Sequence, residues 1–212
     1  MTKKKIVLIG GGGHCRSIID VIEKEDRFEI AGIVDVKEKI GSKVLGYDII
    51  GSDEDIEALS KQFEYFFITF GQGKSNDFRV KTFYLLKSIG VKLPVICSPF
   101  AHVSKHALVG EGTAVMHGCI INAGAKVGVN CILNTQSLIE HDVEIGDHCH
   151  ISTKSAINGF VRIGDNVFAG SSSVFADRIS ICNNTVLGAG TVIPKSISEA
   201  GIYVGNPARK IS

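Results

Sequence analysis

Residues 127–163 read VGVNCILNTQSLIEHDVEIGDHCHISTKSAINGFVRI, and an apolar residue occupies every sixth position of this stretch. The same period runs without interruption from Val103 to Ile193, with a mostly small residue two places before each of these positions. A period of six suits neither a helix of 3.6 residues per turn nor a single strand. It is typical of a solenoid in which each side forms a short strand and then turns a corner.

Glycine shows a second period of eighteen residues, at Gly110, Gly128, Gly146 and Gly164. Since three hexads make eighteen residues, the spacing predicts three sides per coil of a parallel β-helix. We expect these glycines to occupy one corner, where the chain needs either a positive φ or a close approach of two backbones.

The first half of the chain alternates strand and helix patterns. A strand over 5–9 is followed by four glycines and by a helix in which Cys15, Ile18, Ile19 and Ile22 share one face. Further strands are predicted over 29–34, 65–70 and 91–97, and helices beginning at 52–55 and spanning about 75–89. We therefore expect a Rossmann-like α/β domain over residues 1–98 and the β-helix over residues 99–212.

The composition excludes several classes of protein. A net charge of +1, from 23 basic and 22 acidic residues, offers no field that would attract nucleic acid or an anionic membrane. Ile6–Ile9 is too short for the core of a signal peptide, and no apolar run approaches the length of a membrane span. The six cysteines contain no CxxC pair, and three occupy inward small positions. We expect a cytoplasmic protein with reduced, buried thiols.

The glycine run lies where a parallel sheet binds phosphate, because amides at the start of the helix point outward and the helix dipole favours an anion. Cys15 replaces the third glycine of the dinucleotide fingerprint, which argues against NAD but not against another nucleotide. Asp35 ends the second strand and is either a ligand for a nucleotide's sugar or base, or a solvated loop acid. Gly71 closes the third strand at the same edge, as part of that site or as a structural turn.

The order of these domains, together with the closing segment Gly205–Arg209, resembles the sugar O-acyltransferase family. That family includes NeuD-like sialic acid O-acetyltransferases and PglD-type bacterial sugar-nucleotide 4-amino N-acetyltransferases. The most specific stretch is NTQSLIEHDVEIGDHCHIS, over residues 134–152. The resemblance implies a left-handed prism, a homotrimer with acetyl-CoA in the groove between neighbouring prisms, and an N-terminal domain that holds the nucleotide of the acceptor.

The resemblance also implies roles for individual residues. His141 would be the general base, and histidine is the side-chain type whose ordinary pKa lies nearest working pH. Asp142 stands where the N-acetyltransferases carry a glutamate that orients the histidine, and Glu140 is an alternative partner. The remaining implied contacts are Asn134 with the acceptor, His150, Ser171 and Ala189 with acetyl-CoA, and Gly12, Gly13, His14, Asp35 and Gly71 with the nucleotide.

We expect an acetyl-CoA-dependent N-acetyltransferase that acts directly on the 4-amino group of a nucleotide-linked deoxyamino sugar in bacterial surface-glycan biosynthesis. The first alternative is O-acetylation of a sialic acid, which is a nonulosonic acid. The second is a non-catalytic, nucleotide-binding β-helix scaffold, against which the His141 and Asp142 pair argues. No metal site is expected, because strand alternation directs Cys149 away from His148 and His150.

Overall fold

A computed structural model describes residues 3–72 and 76–212, which form two compact units, Met1–Cys97 and Ser98–Ser212. The helices and strands of the first unit are β1 Lys4–Ile9, α1 Gly13–Glu25, β2 Phe28–Val34, β3 Lys43–Val44, β4 Tyr47–Gly51, α2 Ile56–Ser60, β5 Tyr65–Ile68, α3 Asp77–Ile89 and β6 Ile96–Cys97. None of the described helices has the length and apolar character that a bilayer crossing requires.

The first unit is built on a five-stranded sheet with the order β3-β4-β2-β1-β5. Strands β1, β2, β4 and β5 are parallel, and β1 lies between β2 and β5. The apolar face of α1 is buried as its spacing predicts, with Cys15, Ile18 and Ile19 fully inaccessible to solvent. The Rossmann-like alternation of strand and helix is thereby confirmed.

Two features of this sheet differ from the prediction. The sequence did not indicate the antiparallel hairpin of β3 and β4, which places β4 beside β2. Residues 91–97 were expected to form one continuous strand, but only Lys92 bridges to Tyr65, and the short β6 follows separately. Pro94 lies between the two pieces, and it interrupts the ladder because proline has no N–H to donate.

The sequence predicted two helix starts, at 52–55 and near Ser75. Ser52 and Asp55 form a capping box at the head of a 3₁₀ turn over Asp53–Asp55, which leads directly into α2. The start expected near Ser75 lies outside the described residues. Helix α3 ends at Gly90, whose φ of 86° is the left-handed conformation that glycine adopts without steric penalty.

The second unit is a three-sided parallel β-helix, and the predicted left-handed fold is confirmed. Through most of the prism each strand pairs in parallel with the strand eighteen residues later, as Leu133 does with Ile151. The last strands of side three depart from this register, since Leu187 pairs with Tyr203 and the final pair is antiparallel. Side one contains β7 His102–Val103, β10 Ile120–Ile121, β13 Leu138–Ile139, β16 Ala156–Ile157, β19 Val174–Phe175 and β22 Val192–Ile193. Side two contains β8 Leu108–Val109, β11 Lys126–Val127, β14 Glu144–Ile145, β17 Arg162–Ile163 and β20 Ser180–Ile181. Side three contains β9 Ala114–Val115, β12 Ile132–Leu133, β15 His150–Ile151, β18 Phe168–Ala169, β21 Thr185–Leu187, β23 Gly201–Val204 and β24 Arg209–Lys210.

The geometry of the corners explains why glycine recurs every eighteen residues. Gly128 does not have a positive φ, but a Cβ there would lie 2.6 Å from the carbonyl oxygen of Gly146 in the next coil. Of the two explanations predicted for these glycines, close approach of two backbones is therefore the one that the structure confirms. The left-handed conformation recurs instead at every sixth residue from Gly112 to Gly190, and most of these residues are not glycine.

Candidate active site

The glycine run closes tightly onto the ends of strands β1 and β2. The Gly10 amide donates to the Val34 carbonyl at 2.7 Å, and the Gly11 amide donates to Oδ2 of Asp35 at 2.9 Å. A Cβ on Gly11 would lie 2.6 Å from that same oxygen, whereas a Cβ on Gly12 or Gly13 would meet no atom within 4 Å. Gly11 is therefore required by packing, while Gly12 and Gly13 open toward solvent at the start of α1.

Asp35 acts as a structural clamp at this edge of the sheet. Its carboxylate accepts hydrogen bonds from the amides of Gly11 and Val36 and from Nζ of Lys39, the last at 3.0 Å. Partial burial acts to raise the pKa of Asp35, but these hydrogen bonds outweigh it and hold the pKa below its ordinary value. An ionised carboxylate accepts about four hydrogen bonds. Three of these positions are already filled within the protein, and the side chain is 11% exposed. A contact between Asp35 and a nucleotide stays a prediction.

The end of strand β5 completes this edge. Arg79, only 2% exposed, donates from Nη1 to the carbonyls of Ile68 at 3.1 Å and Phe70 at 2.8 Å, which fixes the turn that leads to Gly71. No pattern in the sequence pointed to Arg79. Because β1 lies between β2 and β5, the fold brings together the predicted residues Gly12, Gly13, His14, Asp35 and Gly71 at one edge of the sheet.

In the second unit, His141 lies at the corner between sides one and two, which we call the His141 corner (residues 140–143 and their equivalents in neighbouring coils). Its side chain is 52% exposed, and its Nδ1 lies 3.0 Å from Oδ2 of Asp142. Glu140 instead accepts a hydrogen bond from the side chain of Asn122 at 2.9 Å and contacts the main-chain amide of His141. The carboxylate that touches the imidazole is thus that of Asp142.

Two glycines that the sequence analysis missed make room for this pair. A Cβ on Gly159 would lie 2.9 Å from both Cε1 and Nε2 of His141. A Cβ on Gly124 would lie 2.4 Å from Oδ1 of Asp142. Gly159 follows His141 by eighteen residues, and Gly124 precedes Asp142 by eighteen residues. The eighteen-residue period of the coil is therefore the sequence signal that could have identified both glycines.

The other predicted residues of the prism lie at or next to the corner between sides three and one, which we call the Ser171 corner (residues 170–173 and their equivalents in neighbouring coils). Ser171 and Ala189 are exposed and stack in successive coils. Asn134 and His150 are half-buried beside them, with Nδ2 of Asn134 3.5 Å from Nε2 of His150. Side one separates this corner from the His141 corner, so a single chain does not gather all the predicted residues of the prism in one place.

Cys149 lies inside the prism at 1% exposed, where its thiol donates to the Gly164 carbonyl at 3.1 Å. Burial raises the pKa of this thiol well above its ordinary value. His148 is directed into the corner, where its Nδ1 lies 3.0 Å from the side-chain nitrogen of Asn130. Within residues 3–72 and 76–212, no group of three or more His, Cys, Asp or Glu side chains has the arrangement of a metal site.

Comparison with known proteins gives the family. The model of the PglD N-terminal domain matches residues 5–83, and the bacterial transferase hexapeptide model, with six repeats, matches residues 160–195. PerB from Caulobacter crescentus, crystallised with CoA and GDP-perosamine, is 31% identical over 100% of this chain and 99% of its own, with a TM-score of 0.92. The chain belongs to the PglD-type family of sugar N-acetyltransferases.

The resemblance inferred from the sequence is thus confirmed. Two further structures of PglD-type relatives match the whole prism and the Rossmann-like unit. A variant of perosamine N-acetyltransferase from Caulobacter crescentus, with a histidine replaced by asparagine, is 30% identical over 100% of this chain and 98% of its own, with a TM-score of 0.93. The acetyltransferase domain of PglB from Neisseria gonorrhoeae, in complex with acetyl coenzyme A, is 27% identical over 99% and 100%, with a TM-score of 0.90.

Proposed function

We propose that this protein transfers the acetyl group of acetyl-CoA to the 4-amino group of a nucleotide-linked deoxyamino sugar, in bacterial surface-glycan biosynthesis. The observation that carries the proposal is the exposed imidazole of His141, whose Nδ1 is held by Asp142 at 3.0 Å in a PglD-type prism. Acetyl-CoA binds the PglB domain, and the Caulobacter enzyme binds a nucleotide-linked amino sugar with CoA.

The chemistry follows from the orientation of the ring. An exposed amine is mostly protonated at neutral pH, so the acceptor nitrogen must lose a proton before or during attack on the thioester carbonyl. With the proton on Nδ1 donated to Asp142, the lone pair of Nε2 is available to accept that proton. The new C–N bond forms as the C–S bond breaks, and CoA leaves as the thiol once its sulfur is protonated. No covalent enzyme intermediate is needed.

We further propose that the active site lies between two copies of the chain in a homotrimer. The His141 and Ser171 corners are separated by a six-residue side, which spans up to about 20 Å at the rise of a β-strand. From the second coil onward, the outward residues of that side form an apolar row: Ile120, Leu138, Ala156, Val174 and Val192. The outward row of side two contains instead the ion-paired Lys126, Glu144 and Arg162.

An apolar row of this kind favours burial against another protein surface. If a second prism covers side one, its Ser171 corner comes beside the His141 corner of the first. Each acetyl-CoA would then contact His150, Ser171 and Ala189 from one copy and the base from the other, with Asn134 near the acceptor. The nucleotide would bind at the edge formed by Gly12, Gly13, His14, Asp35 and Gly71.

The proposed site of action is the cytoplasm. All six cysteines are free thiols, which is typical of a reducing compartment. The two substrates inferred here, a CoA thioester and a nucleotide sugar, are both products of intracellular metabolism.

The decisive experiment mixes the purified protein with acetyl-CoA and a series of UDP-, dTDP- and GDP-linked 4-amino sugars, and separately with free sialic acid, while CoA release is followed. We expect release with a nucleotide-linked amino sugar, and mass spectrometry should place the acetyl group on nitrogen. Release with sialic acid alone would establish the O-acetyltransferase alternative, and no release with any acceptor would favour the scaffold. His141→Ala should lower turnover at least about a hundredfold while the oligomer stays intact.

A further inference from the structure

Phe160 and Arg178 occupy the two coils that follow Asp142 along the same corner. The ring of Phe160 meets the imidazole of His141 edge-to-face, with the centroids 5.1 Å apart and the planes at 86°. The guanidinium of Arg178 lies 4.4 Å from the centroid of the Phe160 ring. Arg178 is also paired with Asp177, Nε to Oδ2 at 3.0 Å. An aromatic ring is thus placed between the imidazole and a cation.

The backbone conformation of Phe160 is unfavourable for an aromatic residue. Phe160 has a φ of 58°, in the left-handed region that is unfavourable for a bulky side chain. The other left-handed residues of the prism are glycine or carry a polar or charged side chain, so Phe160 is the one hydrocarbon among them. The residue is nevertheless 40% exposed, so burial in the core does not compensate for this conformation.

We propose that Phe160 is a positioning residue for His141: it holds the imidazole against Asp142 and keeps the guanidinium of Arg178 away from both. The inference rests on the proposed role of His141 as the base. An edge-to-face contact restricts the rotation of an imidazole that is otherwise half exposed. Arg178, held over the Phe160 ring and paired with Asp177, is thereby kept from replacing the imidazole as the partner of Asp142.

The charged groups around the imidazole are few. Glu140 and Asp142 belong to the same coil as His141, and the preceding coil contributes the uncharged Asn122, Ala123 and Gly124. The next coil contributes Gly159 and Phe160, and the one after it contributes Asp177 and Arg178. Arg178 is therefore the only cation at this corner in the four coils from Asn122 to Arg178. Removal of the Phe160 ring would allow it to approach the imidazole.

The test compares Phe160→Ala with the wild type by NMR titration of isotopically labelled histidine, the His141 signal being assigned by its loss in His141→Ala. A cation that approaches an imidazole disfavours the protonated ring. We therefore expect the midpoint of the His141 titration in Phe160→Ala to move down by roughly half a pH unit or more. The acid limb of the kcat profile should move with it, and kcat should fall about tenfold, with KM for the acceptor nearly unchanged.

Companion variants separate positioning from folding. Phe160→Tyr keeps the ring and should behave like the wild type. Phe160→Ala combined with Arg178→Gln should restore the titration midpoint but not kcat, because the ring contact is still missing. Arg162→Gln removes an exposed arginine on side two and should change neither quantity. If Phe160→Ala does not fold, Phe160→Leu replaces it, since leucine fills the space but provides no aromatic edge.

An unchanged His141 titration together with an unchanged kcat in the Phe160 variants would overturn the proposal. Failure of the proposed function gives a different result: either the wild type releases no CoA with any nucleotide-linked amino sugar, or His141→Ala retains full turnover. In that case the NMR titration still reports whether Phe160 shields the imidazole from Arg178.

Discussion

Gly159 leaves the space that the imidazole of the proposed base occupies, and Gly159→Ala tests whether the placement of His141 limits turnover. The added Cβ would lie 2.9 Å from both Cε1 and Nε2, about half an ångström short of ordinary van der Waals contact. Gly159 does not have a positive φ, so its backbone accepts alanine without strain. The exposed ring, rather than the coil, should therefore move, and Nδ1 should leave its 3.0 Å contact with Asp142.

A misplacement of 1 Å costs a catalytic group about a hundredfold in rate. We therefore expect Gly159→Ala to lower kcat about tenfold, with KM for acetyl-CoA within about twofold and with the melting temperature nearly unchanged. The assay is CoA release under saturating acceptor. The same substitution in a His141→Ala background is the control, and it should cost nothing further, because two changes acting on one group are not additive.

A full tenfold loss in the His141→Ala background would show that Gly159 acts on the substrate and not on the base. Wild-type kcat in Gly159→Ala would refute the claim that the imidazole's present position matters. A crystal structure of the variant, or the chemical shift of the His141 ring, would report the displacement directly.

Two further predictions concern the first unit. Asp35→Asn should lower the melting temperature at neutral pH. The folded-state pKa of Asp35 is lowered, so the stabilisation by this carboxylate is complete above the ordinary pKa of 3.8 and is lost as the pH falls through the folded-state pKa. A difference in melting temperature between Asp35→Asn and the wild type that persists unchanged to pH 2 would contradict this. Gly12→Ser should fold normally and keep or lower KM for the nucleotide sugar, since a Cβ at this position meets nothing within 4 Å. Gly11→Ala should raise the same KM at least several-fold, because its Cβ would lie 2.6 Å from Oδ2 of Asp35. Equal KM values for the two variants in a steady-state assay would contradict this explanation from packing.

The sequence was most informative where a period repeats over many residues. The six-residue period predicted which side chains point into the prism, because every coil repeats the same inward and outward positions. It predicted the buried state of Cys149 and the exposed state of His141, both of which the structure confirms. The glycine-rich turn after β1 was equally readable, since few local structures tolerate four consecutive glycines.

The sequence was least informative where a single local exception decides the outcome. Pro94 divided a run that otherwise has the composition of a strand. The hairpin of β3 and β4 has too few residues to show an alternating pattern. The left-handed corners gave no signal in the sequence, because most of them are occupied by residues other than glycine.

By itself the sequence determined the two-unit architecture and the three-sided coil, because both depend on spacing along the chain. The candidate base came from the resemblance of residues 134–152 to a known family. Only the tertiary structure decided which carboxylate touches His141, why Gly124 and Gly159 lack side chains, and that Phe160 lies between the imidazole and Arg178. These contacts join residues about eighteen positions apart at distances of a few ångströms. They depend on the stacking of one coil on the next, and a linear pattern gives the order of the coils but not the positions of their side-chain atoms.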